Sequence, residues 1–263
     1  MVSTQPVASH AFLQLAGHPL RWRLLEELGR SDRIVQELTE RVGEPQNLVS
    51  YHLGKLREAQ LVSARRSAAD RRDSYYALNL DRLGAALSEA GGALHPGLRL
   101  VPPPRDGHAV GPARVLFLCT GNSARSQMAE ALIRARSGGR VEAHSAGSQP
   151  KALHPNAVRV MREDHGIDLA GQAPKHFDVY AAAEFDLVIS LCDRVREVCP
   201  DFPGAPEAIH WSIPNPATGE DDAATLPLFR GAAAELAMRV GYLLARLADR
   251  STESQGGADG RPQ

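Results

Sequence analysis

Apolar residues in the first third of the chain recur at helical spacing and then give way to short strand-like runs. Trp22, Leu24, Leu25 and Leu28 mark the expected buried face of a helix over residues 20–28. Ser31 is placed to cap a second helix, whose apolar positions are Ile34, Val35 and Leu38. Pro45 suits the first turn of a third, carried through Leu48, Val49, His52, Leu53 and Leu56. LVSARR and SYYALNL then flank a polar turn at residues 67–73, which predicts a β-hairpin. Paired helices followed by a two-stranded wing make a mainly α winged helix-turn-helix, set at residues 1–95.

The pattern changes after residue 112. VLFLC (residues 115–119) is a short uninterrupted apolar run, expected as a buried parallel strand. TGNSARS follows, and QMAEALIRAR then puts Met128, Leu132 and Ile133 on one helix side. LVISLCD repeats the strand pattern. Residues 113–250 are therefore expected to form an α/β domain with a parallel sheet. The stretch between the domains, residues 96–112, contains Pro102, Pro103 and Pro104 in a row with scattered glycines, which is linker composition. Residues 251–263 are polar and Gly-rich and are expected to be a disordered tail.

Charge adds little to this division. The net charge of the 263 residues is -1, and residues 1–95 carry 12 basic against 11 acidic groups. Residues 113–250 carry 15 against 17, so net charge does not single out a nucleic-acid binder in either half. Only Lys55, Lys151 and Lys175 of the 30 basic side chains are lysine, an excess of Arg that fits a GC-rich genome better than a function. No run approaches the ~18 apolar residues of a membrane span, and the first residues lack a secretory pattern. Three Cys make no disulfide framework, so the expected compartment is the reducing cytoplasm. His10, His18, His95 and Asp81 are too scattered to read as a metal site.

The chemistry concentrates in the second half, where all three Cys lie. Cys119 ends a strand, just before a small-residue loop and a helix N-terminus. Amides of the loop Thr120, Gly121, Asn122, Ser123 and Ala124, together with the helix dipole, gather around an oxyanion there. The same field favours a thiolate at Cys119. Arg125 adds a planar fork for a tetrahedral anion, and Ser126 a hydroxyl that can donate to the thiolate.

The motifs of both halves resemble known families. AGHPLRWRLLEEL, NLVSYHLGKLREAQLV and the wing are similar to ArsR/SmtB-type repressors over about 80 residues. That resemblance implies operator DNA as a partner and a homodimer paired through the terminal helices of this domain. It places Gln46, Asn47, Ser50, Tyr51 and His52 near bases or phosphates, and Arg71 and Arg72 at the wing tip for a minor-groove or backbone contact. Gln60 stands where many relatives have Gly at the helix end. The helix before the recognition helix, DRIVQELTER, lacks the thiols that arsenite-sensing members use.

From about residue 113 to 248 the chain resembles low-molecular-weight tyrosine phosphatases and the arsenate reductases built on that fold. The resemblance rests on Cys-x5-Arg-Ser, on AHSAG (residues 143–147), on LVISLCD and on HWSIPNPA. It implies a thioredoxin-coupled arsenate reductase with no tightly bound cofactor. In the relay implied, Cys119 attacks arsenate, Cys192 attacks the adduct, Cys199 attacks Cys192, and thioredoxin reduces the last disulfide. Ala124 stands where the phosphatases usually carry a second Cys. If the Cys192–Cys199 segment is helical when reduced, its seven residues rise about 10.5 Å, too far for a disulfide without unwinding. Asn215 occupies the general-acid position, where an amide cannot protonate a leaving group; Asp221 and Asp222 lie on the same loop. Some relatives hold a potassium ion with residues matching Asn122, Glu130 and Ser145 plus an acid. The acid's position is Lys175 here, so its ammonium is expected to replace a monovalent cation while Asn122 and Glu130 brace the loop. A phosphatase fused to the same regulator, a regulator that senses oxyanions or arsenite with the second domain, and a reductase served by a low-molecular-weight thiol remain open.

Overall fold

The computed structural model describes residues 9–100 and 110–256, apart from residues 205 and 220. The chain divides into two compact units, residues 1–102 and 103–263.

The first unit begins with α1 (Ser9–Ala16) and α2 (Pro19–Arg30). Pro19 opens α2 and the His18 ring accepts the Leu20 N–H at 3.2 Å, satisfying a donor that no helical carbonyl reaches. Leu20, Leu24, Leu25 and Leu28 form its buried face. Trp22 does not join them. It is 51% exposed and donates its indole N–H to Glu26, because it lies off the stripe that the four leucines define. Ser31 is likewise no helix start: it ends α2, where its N–H bonds the Glu27 carbonyl. The chain then forms a two-residue strand, β1 (Arg33–Ile34), before α3 (Val35–Val42). The Ile34 N–H is satisfied by the Glu37 carboxylate instead.

Gly43, in the left-handed region at φ 65°, ends α3, and α4 (Gln46–Glu58) starts directly after Pro45. Val49, His52, Leu53 and Leu56 are its buried side, while Leu48 remains exposed. Gln60 takes φ 60° where α4 ends, a conformation that costs a non-glycine residue about 1 kcal/mol. Strands β2 (Val62–Arg66) and β3 (Ser74–Leu78) form the wing hairpin, pairing Val62 with Leu78 and Arg66 with Ser74. β1 pairs with the other side of β3, giving a three-stranded antiparallel sheet. Helix α5 (Leu80–Leu94), capped by Asn79, packs on α1. Residues 96–100, expected within the linker, fold back along α5. The Leu100 carbonyl accepts from Ser88, and a Cβ on Gly91 would lie 2.2 Å from the Leu98 carbonyl oxygen. Linker residues 101–109 lie outside the described residues.

The second unit is α/β. Strands β4 (Ala113–Cys119), β5 (Val141–Gly147), β6 (Leu187–Ser190) and β7 (Glu207–His210) form a parallel sheet in the order β5-β4-β6-β7. The helices are α6 (Arg125–Arg136), α7 (Pro155–His165), α8 (Asp193–Glu197) and α9 (Asp222–Gly256). α9 packs on α6 and α7, and α6 packs on β4 and β5. Val115, Leu116, Phe117 and Leu118 of β4 are completely buried, which is why that strand reads as an unbroken apolar run. The chain leaves β4 for β5 on one side and returns to β6 on the other. The carboxyl end of β4 is therefore the switch point of the sheet, where open α/β folds bind ligands, and Cys119 is its last residue. Helix α9 runs to Gly256, so residues 251–256 of the expected disordered tail are helical, and residues 257–263 lie outside the described residues.

Candidate active site

The segment from Thr120 to Ala124 is shaped by its carbonyls, each of which is held by a donor. Thr120 O accepts the Gln149 N–H (2.8 Å), Gly121 O the Lys151 N–H (2.9 Å) and Ser123 O the His154 N–H (2.9 Å). Asn122 O accepts Gln127 Nε2 (3.0 Å), and Ala124 O accepts the first fully helical amide of α6, Met128 (2.8 Å). Among the described residues, no amide from Gly121 to Ala124 donates a hydrogen bond. Carbonyls held in this way, with the N–H groups left over, make an anion cradle. The N-terminus of α6 adds its dipole, and its cap residue Ala124 makes no side-chain hydrogen bond to it.

Asn122 fixes the loop at some backbone cost. It sits at φ 42°, fully buried, with four side-chain bonds holding it. Its Nδ2 donates to Ser126 Oγ (2.9 Å) and Ser145 Oγ (2.8 Å), and its Oδ1 accepts from the Lys175 N–H (2.7 Å) and Gln127 Nε2 (3.2 Å). Because Asn122 donates to Ser126 Oγ, the Ser126 hydroxyl proton is left for Cys119 Sγ, 3.0 Å away. Gly147 lets β5 close on the loop. A Cβ there would meet Thr120 O at 2.6 Å, Cys119 O at 2.7 Å and Asn122 N at 2.8 Å.

Arg125 is buried, and its Nη1 donates to the carbonyls of Ile213 (2.8 Å) and Leu191 (3.4 Å). Its Nε and Nη2 make no hydrogen bond among the described residues, which leaves that edge of the fork for an anion. The Leu191 contact brings in the next thiol. Cys192 is buried at the start of α8, with Sγ 3.2 Å from Thr120 Oγ1. The structure thus brings Cys119, Thr120, Arg125, Ser126 and Cys192 together. Cys199 is half-buried, its Sγ 3.6 Å from the Pro200 carbonyl oxygen, and burial with the nearby Asp201 charge pushes its pKa up to about 11. The segment between these two Cys is not one continuous helix: α8 covers only Asp193–Glu197.

In the first unit, Gln46, Asn47, Ser50 and Tyr51 share the exposed side of α4. His52 does not. Its ring packs 4.4 Å from that of His18 and its Nδ1 lies 3.4 Å from Arg21 Nη1, so it belongs to the interior and not to a base-reading surface. Burial, then His18 and Arg21, lower its pKa. Arg71 and Arg72 are exposed at the wing, where Arg72 forks onto Asp70 at 2.6–3.1 Å and holds that carboxyl at about 2.

Residues 114–253 match the family described as low molecular weight phosphotyrosine protein phosphatase. The chain belongs to this family. Residues 16–63 match a helix-turn-helix domain, so one polypeptide joins that module to a phosphatase-family domain. Over 127 residues the chain is 38% identical to an arsenate reductase of Halalkalibacterium halodurans, a match covering 48% of this chain and 91% of the relative. Over 106 residues it is 42% identical to an arsenate reductase of Bacillus licheniformis, covering 40% and 76%. A solved arsenate reductase from Archaeoglobus fulgidus is 31% identical, covering 50% of this chain and 98% of that one at a TM-score of 0.40.

Two expectations for this family domain need correction. The Lys175 ammonium does not take a cation's place in the loop: it donates to the Ala173 carbonyl (3.1 Å), and Lys175 supports Asn122 through its main-chain N–H. Glu130 pairs with Arg134 (2.8 Å) one helical turn on and does not brace the loop. Both lone pairs of Asn122 Oδ1 are taken, whereas the buried Glu130 Oε2 has no hydrogen-bond partner among the described residues. Asn215 is exposed and, among the described residues, is held only through its carbonyl, by Thr218 (3.1 Å). Asp221 caps α9 through the Ala224 N–H, and the exposed Asp222 carboxylate lies 3.8 Å from His154. Gln127, not expected from the sequence, is buried and grips the loop through Nε2. The segment 149–154 that holds the loop carbonyls was likewise not expected. The His154-Pro155 start of α7 was a readable signal of a fixed helix entry there.

Proposed function

We propose that the second unit is an arsenate reductase working by a three-thiol relay, and that the first unit is a DNA-binding repressor domain in the same cytoplasmic chain. The observation that carries the enzymatic reading is the Thr120 Oγ1 to Cys192 Sγ contact of 3.2 Å, a second thiol at the edge of the loop that holds the first. Arsenate binds the loop amides and the open edge of Arg125. The Cys119 thiolate, receiving the Ser126 proton as a hydrogen bond, attacks arsenic and water leaves. Cys192 then attacks Cys119 Sγ. A Cys119–Cys192 disulfide forms, the S–As electron pair stays on arsenic, and arsenite departs. Cys199 attacks Cys192, Cys119 leaves as thiolate, and the dithiol of thioredoxin reduces Cys192–Cys199. No tightly bound cofactor takes part. With Asn215 at the acid position, the proton for the departing water comes from solvent.

The regulator reading is supported by the exposed row Gln46, Asn47, Ser50 and Tyr51 on α4, by Arg71 and Arg72, and by the helix-turn-helix match. Leu13 of α1 and Leu87 and Leu94 of α5 are exposed apolar side chains on the terminal helices, which a homodimer would cover. Among the described residues no helix is long and apolar enough to cross a membrane. A phosphatase reading is favoured by the family's description. Arsenate turnover with thioredoxin, thioredoxin reductase and NADPH tests the proposal. Activity lost in Cys119→Ser, Cys192→Ser and Cys199→Ser supports it. Phosphotyrosine hydrolysis untouched by the last two, without arsenate turnover, replaces it with a phosphatase. Arsenate turnover with Cys192 and Cys199 dispensable makes a low-molecular-weight thiol the reductant. Operator binding that responds to arsenic, without turnover under any reductant, makes the second unit a sensor.

A further inference from the structure

A buried polar cluster lies behind Cys192. Ser190, Asp193, His210 and Ser212 are all more than nine-tenths buried. Asp193 Oδ1 accepts from Ser212 Oγ (2.6 Å) and lies 3.1 Å from His210 Nε2, while His210 Nδ1 lies 2.8 Å from Ser190 Oγ. With Nε2–H donating to the carboxylate, Nδ1 accepts the Ser190 proton, and each contact has a donor and an acceptor. A carboxylate this deep is retained only where its bonds are made.

The four residues sit on two segments. Residues 190–193 run from the last residue of β6 and carry Cys192; residues 210–213 run from the last residue of β7 and lead to Asn215. Arg125 already ties these segments through Leu191 O and Ile213 O. The Asp193 cluster ties them a second time. Asp193 is also the first residue of α8, with Cys192 immediately before it.

We infer that Asp193 is a positioning residue: through His210 and Ser212 it locks the main chain on the far side of Cys192, so that this thiol stays buried and turned to Thr120 at the loop. The inference rests on reading Cys192 as the second thiol of the relay. Leu191 and Asp193 bracket Cys192 and are held from opposite partners, so the thiol has little freedom until one tie breaks. Passing the disulfide from Cys119 to Cys199 requires Cys192 to leave Thr120, and the Asp193 tie is the one that α8 must release.

The test is iodoacetamide labelling of the reduced protein without substrate, with the three thiols resolved by peptide mass. Asp193→Asn and His210→Phe are each expected to speed Cys192 labelling about tenfold while Cys119 stays within about twofold, as for a local opening. The double variant labels no faster than either single one, as for members of one network. His210→Gln, which keeps an N–H donor, returns the rate toward wild type. If Asp193→Asn does not fold, Ser212→Ala is read instead, with about threefold expected for loss of one bond. Unchanged Cys192 labelling in folded variants overturns the inference, as does equal acceleration of all three thiols. Absence of arsenate turnover in the wild type, with this labelling pattern intact, overturns the relay and not the positioning role.

Discussion

Replacing Gly147 by Ala adds one methyl group at the place where β5 meets the oxyanion loop. The new carbon would stand 2.6 Å from Thr120 O, 2.7 Å from Cys119 O and 2.8 Å from Asn122 N. All three neighbours are backbone atoms, so no side chain can rotate away, and ordinary contact needs at least 3.4 Å. Strand and loop must therefore separate by roughly 0.6–0.8 Å, an overpacking strain of about 1–3 kcal/mol. For a unit of this size that lowers Tm by about 3–10 °C. Catalysis should suffer more than stability, because a shift approaching 1 Å in a preorganised site costs about 10²-fold. The assay is kcat/KM for arsenate beside a thermal melt, with phosphate protection of Cys119 from alkylation as a measure of anion binding. A variant with wild-type kcat/KM, protection and Tm would show that β5 does not hold the loop.

Three further outcomes are expected. Cys199, with its pKa pushed up to about 11, should be alkylated slowly near neutrality, its rate rising about tenfold per pH unit until that pKa; a plateau below pH 9 would contradict its burial. The lowered His52 pKa means that the unfolded chain takes up a proton first as pH falls below 6.5. The first unit should then lose stability on acidification through that value and toward the lower folded pKa, seen as faster amide exchange in α4, and His52→Phe should flatten the dependence. Arg71→Ala should weaken DNA binding and reduce its salt slope by about one phosphate contact, whereas identical affinities across salt concentrations would remove the wing from the interface.

The legible parts of this chain were those where one local pattern decides the outcome. A wholly apolar run before a small-residue loop and a helix put Cys119 at a strand end and Arg125 at a helix start, where the structure has them, since β4 is buried on both faces and its end is the switch point. The hairpin was readable from two β-prone runs around a polar turn. The misread positions depended on tertiary partners. Trp22 is apolar in composition but lies off its helix's buried stripe. His52 faces inward because His18 and Arg21 are there to meet it. Ser31 lost its helix start to strand pairing of Arg33 and Ile34 with Tyr76 and Tyr75. Lys175 works through its backbone N–H, which every non-proline residue carries, so its side-chain type held no information about its role. The Asp193–His210 pair spans 17 residues and two strands, with no spacing rule to announce it.

The relay itself is tested most directly by one trapping experiment. Reduced Cys199→Ser is given one equivalent of arsenate without any reductant, and its disulfides are mapped by peptide mass. The relay predicts one arsenite released per chain and a Cys119–Cys192 disulfide in the same yield. Arsenite released with Cys192 left as a free thiol, or no arsenite at all from a folded protein, would contradict it.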